Sequence, residues 1–325
     1  MNSAASQNRA SVTVTIPARL HLGFLDLNGD LGRRFGGIGL AISDLKTVVT
    51  IRAGGTDRVT GVERERAQRH VIVMRQRLGV TGAQDVSIDQ VVPAHAGLGS
   101  GTQLALAIAA GMRRLHGVPL DIEADAPLLG RGARSGLGIG LFHRGGFVVD
   151  GGRGPATAVA PIISRMPFPD EWRVLLLLDP TRQGVHGPDE SAAFANLPPF
   201  PARDAADICR LVVMKLLPGL AERDLASFGS AITDIQQRIG DYFAPAQGGH
   251  RLASPEVAAA LDVLAGEGAL GIGQSSWGPT GFAFAASQVE ADRLASFARA
   301  HKSARGLDIR ICAGLNRGAE ITAQE

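Results

Sequence analysis

The residues that could do chemistry gather in three glycine-rich stretches and one charged loop. The sharpest is Pro93-Ala94-His95-Ala96-Gly97-Leu98-Gly99-Ser100-Gly101-Thr102, which follows a strand pattern and runs directly into an apolar segment ending at Gly117. A helix starting there exposes unpaired N–H groups and the positive end of its dipole, so it can hold an anion without a lysine. Glycines let the main chain curl around such an anion, and the hydroxyls of Ser100 and Thr102 can add donors or reach a metal ion. An ordinary capped turn would use the same glycines, so the motif alone leaves both readings open.

The second stretch, 17–40, sets Arg19, His21, Asp26, Asp30, Arg33, Arg34 and Phe35 among glycines and aliphatic residues. Paired arginines are usually surface charges, but this segment is too apolar for a plain surface loop. Arginine's planar fork suits phosphate and carboxylate. The third, 271–284, offers Ser275 and Ser276 as hydroxyl donors and Trp277 as a flat wall, or else a loop held by a buried indole. The charged loop 179–190 leaves a strand end carrying His186, Asp189 and Glu190.

The elements that must position these residues follow from periodicity and caps. Strands are expected at 11–16, 47–53, 86–92, around 147–149, and at 172–179, 282–286 and 308–313. Helices are expected at 62–78, 102–116, 203–217, 220–239 and 254–266, the last opened by Ser254-Pro255. A short helix begins at Asp125-Pro127 and ends near Arg134, and a helix with a Ser287/Glu290 capping box runs to about His301. The charge-rich helix 62–78 reads as a solvated amphipathic element. Pro155, Pro161, Pro167 and Pro169 punctuate the passage between a first domain, 1–165, and a second, 166–325. Helices on one face of a sheet make an α+β fold.

Composition excludes several classes. The chain has 325 residues, 45% apolar and 20% charged, enough for a full core. Its 33 basic and 31 acidic residues leave a net charge of +2, so no bulk field draws it to nucleic acid. Only Lys46, Lys215 and Lys302 are lysines, a skew that a biased genome also produces. Cys209 and Cys312 lack metal-ligand spacing and form no disulfide framework. The start is polar, and no apolar run approaches the roughly 18 residues of a membrane span. A cytoplasmic protein is expected.

Together these segments resemble the GHMP kinase superfamily, whose phosphate loop reads roughly Pro-x-x-x-Gly-Leu-Gly-Ser-Ser; Pro93 through Ser100 match in order and spacing. Two departures stand out. Gly101 replaces the loop's second serine, and Ser135-Gly136-Leu137-Gly138 stands where many of these kinases have Ser-Gly-x-Asp with a catalytic or magnesium-binding aspartate. One branch is similar in just these respects, the β-ribofuranosylaminobenzene 5′-phosphate synthase family. The likeness runs through 18–29, 32–42, the region RGARSGLGIGLFHRGGFVVDGG and 271–282.

The resemblance implies a two-domain fold, an N-terminal domain with a left-handed βαβ crossover and a C-terminal ferredoxin-like sandwich, with the site in the cleft between. It implies joining phosphoribosyl pyrophosphate to 4-aminobenzoate or 4-hydroxybenzoate with loss of carbon dioxide and pyrophosphate, in methanopterin synthesis, with Mg2+ and as a homodimer. Residues 97–102 would bind the phosphates. Arg19, Arg33, Arg34 or Arg144 would clamp the benzoate carboxylate, and Phe35 or Trp277 would wall its slot. His186 and Glu190 would orient hydroxyls or magnesium or handle protons, and His21, Ser275 and Ser276 would contact substrate. The competing readings are an ATP-dependent small-molecule kinase with a relocated base and a non-catalytic binding module on the same scaffold.

Overall fold

The computed structural model describes residues 10–54, 56–185 and 187–324. The chain opens with two long strands, β1 (Ser11–Asp26) and β2 (Phe35–Ala53), then β3 (Arg58–Gly61), helix α1 (Arg64–Leu78) and β4 (Gln84–Gln90). Helices α2 (Ser100–Leu115), α3 (Ile122–Leu128) and α4 (Leu137–Arg144) precede β5 (Phe147–Asp150), β6 (Ile162–Met166) and β7 (Arg173–Leu178). Next come α5 (Gly187–Asn196), α6 (Ala202–Leu211), a π-helical turn (Val212–Leu216), α7 (Leu217–Ala221), α8 (Leu225–Phe243) and α9 (Pro255–Gly266). The chain ends with β8 (Leu270–Gln274), β9 (Gly281–Ala285), α10 (Gln288–Ala300), β10 (Asp308–Ala313) and β11 (Glu320–Gln324).

Two sheets result. The first has order β11-β1-β2-β4-β3, with β5 bridging β2 to β6; β3 and β4 are parallel neighbours joined by α1. The second has order β10-β7-β9-β8, all pairs antiparallel, with α9 and α10 on one face. This is the four-stranded order of a ferredoxin-like sandwich. The chain passes from the first sheet to the second after Met166, and β11 then returns to pair with β1.

The alternation Val12, Val14, Ile16 buries one face of β1, and it continues through Ala18, Leu20 and Leu22. The stretch 17–40 is therefore largely sheet, and the strands expected only at 11–16 and 47–53 extend through most of it. Pro17 cannot donate to the ladder, and the register shifts at Pro17/Ala18 and again at His21/Gly23. These bulges bend β1 where it carries Arg19 and His21.

Helix α2 is apolar all round because it is enclosed; Leu104 through Met112 are buried. Helix α8 lays Phe228, Ile232, Ile235 and Ile239 into a core shared by β1, β2 and the second sheet. Gly23 allows this approach, since a Cβ there would meet Ile235 at 2.8 Å. Expected caps are present at Ser254, which accepts from the Val257 N–H at 3.2 Å, and at Ser287, which accepts from Glu290 at 3.2 Å.

Several expectations shift. Asp121, not Asp125, caps α3, and its carboxylate accepts from the Ala124 N–H at 3.2 Å. Asp125 is instead fully buried and takes a bidentate pair from Arg113, at 2.5 and 2.7 Å. Helices α4 and α5 and strands β3, β6, β8 and β11 were not expected, because each is short or lies inside a glycine-rich stretch. Removing one partner of a buried ion pair strands the other. Asp125→Ala is therefore expected to lower unfolding free energy by about 3–5 kcal/mol in urea titration, whereas removal of the exposed Asp241, paired with Arg251 at the surface, changes it by less than about 1 kcal/mol.

Candidate active site

A cleft of about 540 Å3 opens between the first turn of α2, the bent middle of β1, the loop 130–135 and the turn 276–278. Its wall includes Arg19, His21, Gly97, Gly99, Ser100, Gly101, Thr102, Glu190, Ser276 and Trp277, ten residues singled out in the sequence, now in one place. Gly99 is the N-cap of α2 at φ +81°, a conformation that excludes most side chains. Thr102 and Gln103 donate to the Gly99 carbonyl at 3.0 and 3.1 Å, leaving the N–H groups of Ser100 and Gly101 without an intrahelical acceptor.

The turn is held rigidly. The Arg19 N–H donates to the Leu98 carbonyl at 3.1 Å, and the Gln103 amide donates to the carbonyls of Pro17 at 2.9 Å and Leu98 at 3.2 Å. Ser275 is fully buried; its hydroxyl accepts from the His21 N–H at 3.0 Å and donates to the Gly97 carbonyl at 2.8 Å. A Cβ at Gly97 would stand 2.0 Å from the Ser275 carbonyl oxygen, so only glycine allows the two turns to touch. Ser275 and Leu98 thus build the turn from behind and do not line the cleft.

The electrostatics are cationic. Arg19, Arg66, Arg131 and Arg134 all face the cleft, against the single carboxylate of Glu190, which is ion-paired with Arg134. Arg19 lies beside Gly99, 3.0 Å from where a Cβ would be, and its Nε is buried without a hydrogen-bond partner. Burial lowers its guanidinium to about 10, despite the opposing fields of Asp150 and Glu190. His21 is 2% exposed; burial first and Arg19 second hold its imidazole well below the ordinary histidine range. Its ring lies 4.6 Å from Phe24, and its Nδ1 has no partner. Beside them Trp277 packs on Phe243 at 4.1 Å and Phe194 at 5.2 Å.

Other expected residues lie elsewhere. Arg33 is at the surface, donating to the carbonyls of Gly151 at 2.8 Å and Gly152 at 2.7 Å. Arg34 donates to the Leu27 carbonyl at 2.9 Å. Phe35, at φ +76°, begins β2 and packs on Phe24 and Phe194 but does not itself line the cleft. Arg144 ends α4 on the exposed surface. The β1–β2 hairpin carries Arg33, Arg34 and Phe35 away from Arg19, and Arg144 sits at the exposed end of α4. His186 lies outside the described residues.

The reading of the sequence missed Arg66, Arg131, Arg134 and His95. Arg66 looked like one more charge on a solvated helix. Arg131 and Arg134 carry a signal, two arginines between Gly130, Gly132 and Gly136, but they fall on the tail expected of a short helix, whereas α3 ends at Leu128. Gly138 marks the departure from kinases physically. A Cβ there would stand 2.7 Å from the Thr102 methyl, so an aspartate has no room while Thr102 keeps its place.

Buried neutral histidines make stability depend on pH. His70 on α1 is 7% exposed and pushed down to about 4, by burial first and then by Arg131, Arg66 and Arg69. Its folded value lies below its unfolded one near 6.5, so the unfolded chain binds the extra proton between them. Stability should therefore fall as pH drops from about 6.5 to about 4. In denaturant titrations across that window, His70→Gln should lose less stability than the parent chain; an equal loss would contradict the assignment.

The chain matches the GHMP kinases N terminal domain over residues 65–140 and the GHMP kinases C terminal family over 216–304. It is 34% identical to a β-ribofuranosylphenol 5′-phosphate synthase of Archaeoglobus fulgidus over 321 residues, covering 94% of this chain and 97% of that protein. A protein of the same name from Methanothermobacter thermautotrophicus is 32% identical over 288 residues, covering 82% and 86%. Among solved structures, homoserine kinase from Cytophaga hutchinsonii superimposes with a TM-score of 0.69 at 18% identity, covering 99% of this chain and 100% of that one, a likeness of fold. The glycine turn before α2, the glycine at 138 and these relatives agree: the chain belongs to the β-ribofuranosylphenol 5′-phosphate synthase family, on the GHMP kinase fold.

Proposed function

We propose that this enzyme joins the ribosyl carbon of phosphoribosyl pyrophosphate to a 4-substituted benzoate, releasing pyrophosphate and carbon dioxide, at an early step toward methanopterin-type carriers. The observation that carries the reading is one cleft holding both a cationic phosphate cradle and an aromatic wall, with glycine where a kinase base would stand. The relatives are named for a ribofuranosylphenol product, which favours 4-hydroxybenzoate over 4-aminobenzoate.

The bond from the anomeric carbon to the diphosphate breaks, and its electron pair leaves with the diphosphate. The free N–H groups of Ser100 and Gly101, the α2 dipole and Arg19 sit where that charge builds. The ring carbon bearing the carboxylate bonds to the anomeric carbon. The carbon–carboxylate bond then breaks, its electron pair restores the aromatic ring, and carbon dioxide departs, so no net proton is transferred. Attack by a ring carbon is weak chemistry, and holding the arene against Phe24, Val185 and Trp277 supplies rate through positioning. Arg134, between Glu190 and the Phe194 ring at 5.8 Å, is a cation beside that wall for the carboxylate. His21, kept neutral, adds no competing cation there.

Among the described residues no cluster of three or more His, Cys, Asp or Glu could hold a metal ion alone. The donor set present, the Ser100 and Thr102 hydroxyls and the Glu190 carboxylate, fits a magnesium ion that arrives on substrate phosphates. Such an ion would neutralise charge on the leaving diphosphate.

The kinase alternative needs a base that Gly138 cannot supply. Incubation with carboxyl-labelled benzoates should release labelled carbon dioxide only when phosphoribosyl pyrophosphate is also present, faster with the hydroxy than the amino compound. Release of ADP from ATP with a small alcohol, and no labelled gas, would favour the kinase instead.

A further inference from the structure

Arg131 and Arg66 form a second cationic group in the cleft that the diphosphate assignment leaves unused. Arg131 comes from the loop after α3, and its Nε is buried without a hydrogen-bond partner. Among the described residues its side chain meets no carboxylate within ion-pair distance. Arg66 enters from α1, where its one acid is Glu63, at 3.3 Å on the same helix. The two guanidiniums work against each other: burial first and Arg66 second lower Arg131. One turn along α1, the buried His70 faces the same field, and its Nε2 has no partner either.

Gathering like charges at half-buried positions is unfavourable unless an anion joins them. Arginine forks grip a phosphate bidentately, at a fixed angle. Gly101 fits this arrangement. A Cβ there would come within 3.2 Å of Arg131 Nη1, so the residue that replaces the kinase loop's second serine makes room for the Arg131 guanidinium.

We propose that Arg131 and Arg66 form a second anion subsite that holds the 5′-phosphate of the sugar while the turn 97–102 holds its diphosphate; this rests on the function proposed above. A sugar carrying a phosphate at each end then reaches from the turn to the adjoining Arg131–Arg66 pair, which fixes the direction of the ribose. It also accounts for four arginines facing one acid.

The test is calorimetry on the full chain in two stages, pyrophosphate first and then ribose 5-phosphate added to the pyrophosphate-saturated protein. The parent chain should bind both at once. Arg131→Met and Arg66→Gln should weaken ribose 5-phosphate at least tenfold and pyrophosphate less than threefold. Arg66 is partly exposed on a helix surface, so its variant keeps the proposal testable if the Arg131 variant folds poorly. Competition between the two anions, equal losses of both, or no loss of either in the variants would overturn the second subsite while leaving the diphosphate reading in place. A parent chain that binds neither anion would overturn both.

Discussion

The structure depends on one contact between backbones: the turn at Gly97–Gly99 pressed against the turn at Ser275–Gly278. The Ser275 hydroxyl ties the Gly97 carbonyl to the His21 N–H, so a single buried side chain joins the phosphate turn, the bent strand β1 and the second sheet. Gly278 completes the contact, since a Cβ there would lie 2.3 Å from the Ala96 carbonyl. An anion cradle made of main-chain N–H groups works only if those groups are already aimed, because reorienting them during the reaction would cost much of what they contribute. The fold supplies that rigidity from both halves of the chain, and the cleft between them follows.

The same scaffold that supports ATP-dependent kinases here lacks their base for a steric reason as well as a chemical one. Thr102 occupies the space that a side chain at 138 would need, and Arg131 the space beside 101. On the proposed function such a site would stabilise a departing diphosphate, and it has no carboxylate at that position to activate an alcohol. Phe24 and Trp277 line the cleft, backed by Phe194 and Phe243, and on the proposed function they would wall the flat second substrate.

Much of this was legible in the amino-acid sequence. The glycine turn running into an apolar helix was, since Gly97 and Gly99 precede α2 as expected, although an ordinary capped turn uses the same glycines. Arg19, His21 and Trp277 were singled out by residue type and brought into one cleft. What stayed hidden depends on three-dimensional closure. Arg33, Arg34 and Phe35 neighbour the motif in sequence, but the β1–β2 hairpin turns them away, and the register shifts at Pro17/Ala18 and His21/Gly23 that shape it leave the alternation of β1 unchanged. Arg66 is the converse: helical periodicity marks it as solvated, and only the docking of α1 beside α2 brings it to the cleft. The short elements α4, β8 and β11 form because tertiary contacts hold them, and local propensity alone is too weak to announce them.

The central claim is that main-chain amides at the start of α2 grip the diphosphate of an activated sugar. The most direct measurement is a crystal structure of the chain grown with phosphoribosyl pyrophosphate. Both diphosphate phosphorus atoms should lie beside residues 97–102, within hydrogen-bond reach of the Ser100 and Gly101 amides. Diphosphate density anywhere else in the cleft, with those amides left to solvent, would contradict the account.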